Sequence, residues 1–222
     1  MDMKENQFNI ITISRQMGSG GTYIGYLAAK ELGFRYLDRE ILQQAANKLG
    51  IEPCILERYD GRSASLMENI VQSFCFSTPE MPNLPPLRRP VYNKDLFALE
   101  EKIMKEVADR CNAVIIGRGG FYILKDRSDT IHIFVHAPLD YRIETIMKEQ
   151  KIADEREAKK MIEESDHERT KFIRDMAGTD WCDARNYHLC IDSSIVGFPD
   201  CVKMITQLVK YKKSDAIARE IV

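Results

Sequence analysis

Residues 9–22 read N-I-I-T-I-S-R-Q-M-G-S-G-G-T, and this stretch is the strongest indication of the fold in the sequence. The β-branched run Asn9–Ser14 predicts a buried strand, and the glycines that follow it predict a tight turn. A helical pattern begins near Thr22 and ends at Gly33. Because the N-terminus of a helix has free N–H groups and a partial positive charge, a strand, a glycine turn and a helix in direct succession favour a phosphate site.

Four more strands are predicted outward from this stretch. They are Phe34–Asp38, Ala113–Gly117, Thr130–Ala137 and Tyr187–Asp192. Helical patterns separate them, and strands that alternate with helices are typical of a parallel sheet covered on both faces. The sequence therefore predicts an α/β protein with a five-stranded parallel sheet between two layers of helices.

Composition limits the class of protein. With 222 residues, 44% of them hydrophobic, the chain fits one domain over residues 1–222. A net charge of −2 gives no reason to expect a nucleic-acid partner. No apolar run approaches the roughly 20 residues of a membrane span. Residues 1–7 are polar, and the six cysteines include no C-x-x-C pair. We expect a cytoplasmic protein with reduced thiols and no membrane partner, whereas the oligomeric state stays open.

The glycine turn fits the phosphate-loop pattern G-x-x-x-x-G-K-[ST] in part. Over residues 15–22 the second Gly and the hydroxyl residue are present, but Arg15 replaces the first Gly and Gly21 replaces the Lys. A phosphate site here would bind ATP, and the Thr22 hydroxyl would be a ligand of Mg²⁺. The predicted nucleotide-binding residues are Gly18, Ser19, Gly20, Gly21 and Thr22.

Two other interpretations of the turn stay open. One is the dinucleotide pattern G-x-G-x-x-G, which Gly18 and Gly20 fit and for which Asp38 is correctly spaced to bind a ribose. The third glycine position holds Tyr23, however, which is too large for close packing between helix and strand. The other interpretation is a plain turn without a ligand.

Arg15 is the candidate for the missing positive charge. The Lys of the pattern normally contacts the β- and γ-phosphates. Arg15 ends the first strand and is the nearest cation, so we predict that it folds over the backbone of residues 18–21 and serves as a catalytic cation. A surface charge without a role is the alternative.

Several blocks of the sequence resemble the cytidylate-kinase-like family, relatives of the bacterial cytidylate kinases. The blocks are I-S-R-Q-M-G-S-G-G at 13–21, Y-L-D at 36–38, I-G-R-G at 116–119, D-W-C-D at 180–183 and Y-H-L-C-I-D at 187–192. They extend over nearly the whole chain. The resemblance implies a three-layer P-loop NTPase fold with a helical substrate-binding insertion at about 51–95 and a lid at about 153–180.

The resemblance also implies a function, which is transfer of the γ-phosphoryl group of ATP, with Mg²⁺, to a small acceptor such as the nucleoside monophosphate CMP. Two alternatives stay open because the Lys is absent. One is a nucleotide sensor that binds without catalysis, and the other is a kinase of another small metabolite.

Three residues at strand ends are candidates for binding the acceptor. Asp38 and Arg39 follow the second strand, and Arg118 follows the third, at the edge where parallel α/β sheets bind ligands. Arg118 suits a bidentate contact with phosphate. For Asp38, an N-cap of the next helix is an equally good interpretation.

The charged helix at 153–177 holds the lid candidates. Asp166 and Arg169 match the Asp-x-x-Arg spacing of cytidylate kinase lids, so the resemblance implies that Asp166 binds substrate and that Arg169, with Arg174, is catalytic. A solvated helix face is the alternative for these charges. Trp181 is predicted to pack beneath the lid.

Overall fold

The computed structural model describes residues 9–50, 61–76 and 94–219. Its five strands are β1 (Ile10–Arg15), β2 (Arg35–Leu37), β3 (Ala113–Ile116), β4 (Thr130–His136) and β5 (Leu189–Asp192). They form one parallel sheet in the order β2-β3-β1-β4-β5. The five predicted strands and their parallel arrangement are confirmed.

The described residues form nine α-helices. They are α1 (Gly21–Leu32), α2 (Arg39–Gly50), α3 (Gly61–Phe76), α4 (Lys94–Ala108), α5 (Gly120–Ile123), α6 (Leu139–Gln150), α7 (Glu155–Ala177), α8 (Ser193–Val196) and α9 (Phe198–Arg219). Helix α7 corresponds to the predicted charged helix, and α1 ends at the predicted glycine, Gly33, which has a left-handed backbone. None of the described helices has the length and apolar character needed to cross a bilayer.

Apolar residues on both faces of the sheet produce three layers. Ile11 and Ile13 of β1 pack on the face covered by α1 and α9. Ile10 of β1 packs on the opposite face, with residues of α2, α3 and α4. Strands buried on both faces have nearly continuous apolar sequences, which is why these five were recognisable.

The predicted insertion, residues 51–95, is described only in part. Its helix α3 packs beside α4, with Met67 and Val71 in the same apolar cluster as Leu42 of α2. The Pro-rich segment that the insertion contains, at 78–90, lies outside the described residues. The described part therefore belongs to the helical layer that α2 and α4 form on one face of the sheet.

The carboxyl ends of β1 and β3 are neighbours, and the residues that follow them form one edge of the molecule. Helix α7 reaches this edge, where Ile173 packs in a cluster with Phe121, Phe134 and Trp181. The Trp181 Nε1–H donates to Thr170 Oγ1 at 2.8 Å, which fixes the indole against α7. Trp181 is thus a packing residue beneath this helix, as predicted.

Candidate active site

The glycine turn, residues 15–22, joins β1 to α1 at this edge. Gly18 and Gly20 have left-handed backbones, with φ of 80° and 72°, which glycine adopts without steric cost. No side chain caps α1 after Gly20. The first N–H groups of α1 therefore have no side-chain cap, as in helix N-termini that bind phosphate.

Packing also requires glycine at these two positions. A Cβ at Gly18 would lie 2.7 Å from the carbonyl oxygen of Arg142, and one at Gly20 would overlap the ring of Phe198. Neighbouring elements therefore hold the turn from both sides.

Ser19 braces the turn through its side chain. Its hydroxyl lies within hydrogen-bonding distance of the carbonyl oxygens of Gln16 (2.9 Å) and Val135 (3.2 Å), and the residue is fully buried. Its own carbonyl accepts from Ser193 Oγ at 2.7 Å. Ser19 was predicted to bind nucleotide, but its hydroxyl faces β4 rather than the open side of the turn.

Arg15 lies elsewhere than predicted. Its Nε donates to Thr22 Oγ1 at 3.3 Å, and its Nη1 occupies the space that a Cβ at Gly117, just after β3, would need. The guanidinium therefore does not fold over residues 18–21, because the side chain leaves β1 toward β3. Burial, and then the charge of Arg169, lowers the pKa of Arg15 to about 9. Arg15 forms no direct ion pair with any described residue, and the carboxylate of Asp38 offsets only part of the effect of burial on its pKa.

Arg118 is oriented by Glu100, a residue that the sequence did not indicate as part of the site. Its Nε donates to Glu100 Oε2 at 2.7 Å, and Nη2 forms a second, shorter contact with the same oxygen. The guanidinium lies over the rings of both Phe97 and Phe172, 5.3 and 4.8 Å from their centres, and the two rings contact each other edge to face. Glu100 is 1% exposed, and burial raises the pKa of its carboxyl, whereas Arg118 opposes that shift.

Asp166 links α7 to the glycine turn. Its carboxylate accepts from the backbone N–H of Met17 at 3.1 Å, from Arg142 Nη1 at 2.6 Å and from Arg169 Nη1 at 2.7 Å. Asp166 was predicted to bind substrate, but these contacts within the protein engage both of its oxygens. Its observed role is to fix Arg169 next to the turn.

One small cavity brings three of the predicted residues together. Arg15, Arg118 and Arg169 line a space of about 40 Å³ beside the carboxyl ends of β1 and β3, with Phe172 and Trp181 as apolar walls. This is room for about one water molecule. A larger open groove of about 570 Å³ lies on the other side of the sheet, between α1 and α9, and no predicted site residue lines it.

Asp38 and Arg39 lie at the start of α2, near this cavity. Asp38 Oδ1 accepts from the backbone N–H of Ile41 at 3.0 Å, so the N-cap interpretation of Asp38 describes its observed contact. Burial and then the charge of Arg118 lower the pKa of Arg39. Arg169 also has a lowered pKa, mainly from burial. Repulsion among these guanidinium groups makes the site favourable for an anion.

Arg174 is not brought to the cavity. It is exposed in the last turn of α7 and is not among the residues that line the space. Five residues separate it from Arg169, which rotates it by about 140° around the helix. The prediction of a catalytic role for Arg174 therefore has no support in its position.

Two solved structures have the same architecture. An uncharacterized protein from Eubacterium ventriosum ATCC 27560 is 20% identical with a TM-score of 0.68, and the alignment covers 91% of this chain and 98% of that one. A gluconokinase from Sinorhizobium meliloti 1021 is 12% identical with a TM-score of 0.50, covering 96% and 99%. These likenesses, with the parallel sheet and the glycine turn, define an α/β protein with the P-loop kinase fold.

The family follows from the sequence itself. The model of the cytidylate kinase-like family matches residues 10–195, and the chain belongs to this family. None of the curated proteins matches the chain. The match includes the glycine turn, Arg118 and the whole of α7.

Proposed function

We propose that this chain is a phosphotransferase that moves the γ-phosphoryl group of ATP to a small acceptor, with a nucleoside monophosphate such as CMP as the first candidate. The observation that carries the proposal is the convergence of Arg15, Arg118 and Arg169 on one cavity beside the glycine turn. Membership of the cytidylate kinase-like family supports the reaction type and this acceptor.

In this reaction an acceptor oxygen forms a bond to the γ-phosphorus while the bond to the β-phosphate oxygen breaks and ADP leaves. The protein contributes position and positive charge rather than a nucleophile. The N–H groups at the start of α1 would hold the β- and γ-phosphates. Arg15 and Arg169 would stabilise negative charge at the transferred group, and Arg118 would contact an anionic group of the acceptor.

Magnesium would reach this site with the nucleotide. Mg²⁺ in such sites keeps waters and phosphate oxygens as ligands and takes few from the protein. Thr22 Oγ1, at the start of α1, is the candidate protein ligand, and binding Mg²⁺ would require it to give up its contact with Arg15 Nε. Within the described ranges, no group of three or more His, Cys, Asp or Glu residues could hold a metal ion. A metal site that depends on the nucleotide is consistent with this composition.

The proposal also includes the cellular compartment and the partners of the protein. ATP as phosphoryl donor supports a cytoplasmic enzyme, and the small acceptor is its partner. The net charge of −2 gives no support for a nucleic-acid or membrane partner.

A coupled assay of ADP release tests the proposal. The purified chain is incubated with MgATP and, one at a time, nucleoside monophosphates and small hydroxyl-bearing metabolites, including gluconate. We expect one acceptor class to raise ADP release far above the rate without acceptor. Binding of ATP without acceptor-dependent ADP release would instead support the sensor.

A pair of variants on α7 sharpens the assay. Arg169→Ala removes a cation that lines the cavity, and we expect kcat to fall by about 100-fold or more. Arg174→Ala removes the exposed arginine five residues later and is the matched control, with kcat unchanged. Equal loss in both variants would contradict the assignment of Arg169.

A further inference from the structure

The two residues within 15–22 that differ from the phosphate-loop pattern lie next to each other. Arg15 stands where the pattern has its first Gly, and Gly21 stands where it has the Lys. A Cβ built on Gly21 would lie 2.5 Å from Arg15 Cβ and 3.1 Å from Arg15 Cγ. Non-bonded carbon atoms pack at about 3.5–4.0 Å, so the two positions cannot both carry a side chain in this backbone.

The backbone of Gly21 does not itself require glycine. Gly21 is the first residue of α1 and is not among the glycines with positive φ, so a side chain would be conformationally acceptable there. What excludes the side chain is Arg15, together with a tight contact of 3.1 Å to Val135 Cβ. Removing the Arg15 side chain would remove the two Arg15 contacts and leave Val135 Cβ at 3.1 Å, where a shift of a few tenths of an ångström is needed.

The Arg15 side chain starts beside the place where a Lys side chain at position 21 would start, because the two Cβ positions are 2.5 Å apart. Its Nε donates to Thr22 Oγ1 at 3.3 Å, and no described carboxylate forms an ion pair with its guanidinium. The charge therefore approaches the phosphate position from the end of β1 instead of from α1. Its neighbours at the cavity are Arg118 and Arg169, which line the same space.

We propose that Arg15 and Gly21 together replace the first Gly and the Lys of the phosphate-loop pattern, as a reciprocal exchange. Arg15 supplies from β1 the phosphate-binding cation that a Lys on α1 would otherwise supply. Gly21 leaves the space that the Arg15 side chain needs. The role in phosphate binding rests on the proposed function. The steric part of the exchange does not, and stability alone can test it.

Four proteins test the exchange: the wild type, Arg15→Gly, Gly21→Lys and the double variant, whose residues 15–22 match the G-x-x-x-x-G-K-T pattern throughout. Thermal unfolding is measured for each, and Gly21→Ala with and without Arg15→Gly provides the same comparison where Gly21→Lys fails to fold. We expect either Gly21 substitution to lower Tm by about 5 °C or more in the presence of Arg15, and by clearly less in its absence. Equal losses of Tm in the two backgrounds would overturn the steric claim.

Binding of MgATP by calorimetry, and ADP release with the best acceptor, test the charge. We expect Arg15→Gly to lower ATP affinity at least about tenfold and kcat about 100-fold, and the double variant to recover most of the ATP affinity. Lys30→Met, which removes an exposed cation from the same helix, should change neither. The charge exchange is overturned if Arg15→Gly binds ATP like the wild type, or if a folded double variant binds no better than Arg15→Gly.

These readouts separate the exchange from the proposed function. A wild type that binds ATP but releases no ADP with any acceptor would contradict the phosphotransferase, while the ATP affinities and Tm values would still decide the exchange. A wild type that binds no ATP would overturn both the proposed function and the cation role of Arg15.

Discussion

Arg118 and Glu100 form a buried ion pair, so substituting either residue alone changes stability as well as any contact with the acceptor. Glu100 is 1% exposed and the Arg118 side chain 15%, so removing either partner leaves a buried charge unpaired. We expect Arg118→Ala to lower the free energy of unfolding by about 3–5 kcal/mol, measured by urea denaturation. A loss of activity in this variant alone would therefore not identify an acceptor contact.

A paired substitution removes that ambiguity. In Arg118→Met/Glu100→Leu both charges are replaced by apolar groups of similar size, and we expect stability close to that of the wild type. If Arg118 contacts the acceptor, the KM for the acceptor rises at least about tenfold while the affinity for ATP is retained. A stable double variant with an unchanged KM would show that Arg118 only supports the fold.

The spacing of Glu100 in the sequence was enough to predict that its carboxylate is buried and paired with a cation. Phe97, Glu100, Met104 and Val107 are all buried on one face of α4, at the three- and four-residue spacing of an apolar stripe. A carboxylate within such a stripe predicts a buried cationic partner, because an unpaired charge is costly to bury. Which cation pairs with it is set by the tertiary fold, since Arg118 lies 18 residues away.

Helix α7 is attached to the glycine turn by one carboxylate. Asp166 accepts from the Met17 N–H and pairs with Arg142, which is 8% exposed. We expect Asp166→Ala to cost about 3 kcal/mol of stability, to raise hydrogen exchange along α7 and to weaken ATP binding, since the turn loses an acceptor and Arg169 its support.

Glu163→Ala is the matched control on the same helix. Its ion pair with Lys159, at 4.0 Å, is exposed, and such pairs contribute about 0–1 kcal/mol. We expect stability and exchange close to those of the wild type. Increased exchange in both variants would show that α7 is loosely held regardless of Asp166.

The cavity also implies motion of this helix. A space of about 40 Å³ cannot contain an acceptor the size of a nucleotide, and α7 supplies Arg169, Phe172 and Ile173 to its wall. We therefore expect α7 to shift when an acceptor binds, and its hydrogen exchange to change on adding MgATP and acceptor together. Unchanged exchange along α7 under saturating ligands would contradict this expectation.

At the scale of elements, the sequence predicted the fold better than the site. Buried parallel strands and glycine stops are local patterns, so all five strands and the end of α1 were found from the chain alone. The contacts of Asp166 join residues 24 and 149 positions apart, and no local pattern encodes them. The Arg15 side chain likewise ends beside Gly117, which follows another strand.

Two histidines in the sheet layer link the stability of the whole molecule to pH. His132 Nδ1 lies 2.7 Å from Thr12 Oγ1, its ring stacks on His188 at 5.2 Å, and Lys212 is a nearby cation. Burial, followed by the charges of His188 and Lys212, lowers the pKa of His132 from 6.5 to about 4. The unfolded chain therefore binds more protons in this range, and stability falls as the pH decreases from about 6.5 to 4.

Substitution of His132 tests this pH dependence. In His132→Asn the side chain can still bond Thr12 but does not titrate, so we expect lower stability at pH 7 and a shallower fall in the free energy of unfolding between pH 6.5 and 4. His188 keeps part of the slope, because its pKa is lowered too. His167→Asn, at an exposed position on α7, is the control and should retain the full slope. An equal slope in all three proteins would contradict the assignment.

The proposed function is phosphoryl transfer, and transfer of a labelled phosphoryl group measures it directly. ATP labelled in its γ-phosphoryl group is incubated with the wild-type chain, Mg²⁺ and CMP or the best acceptor of the ADP-release screen, and the products are separated by chromatography. We expect label in the phosphorylated acceptor, at a rate reduced about 100-fold by Arg169→Ala and unchanged by Arg174→Ala. Label that stays in ATP, or appears only as inorganic phosphate, with every acceptor and under conditions in which ATP is bound, would contradict the proposed function.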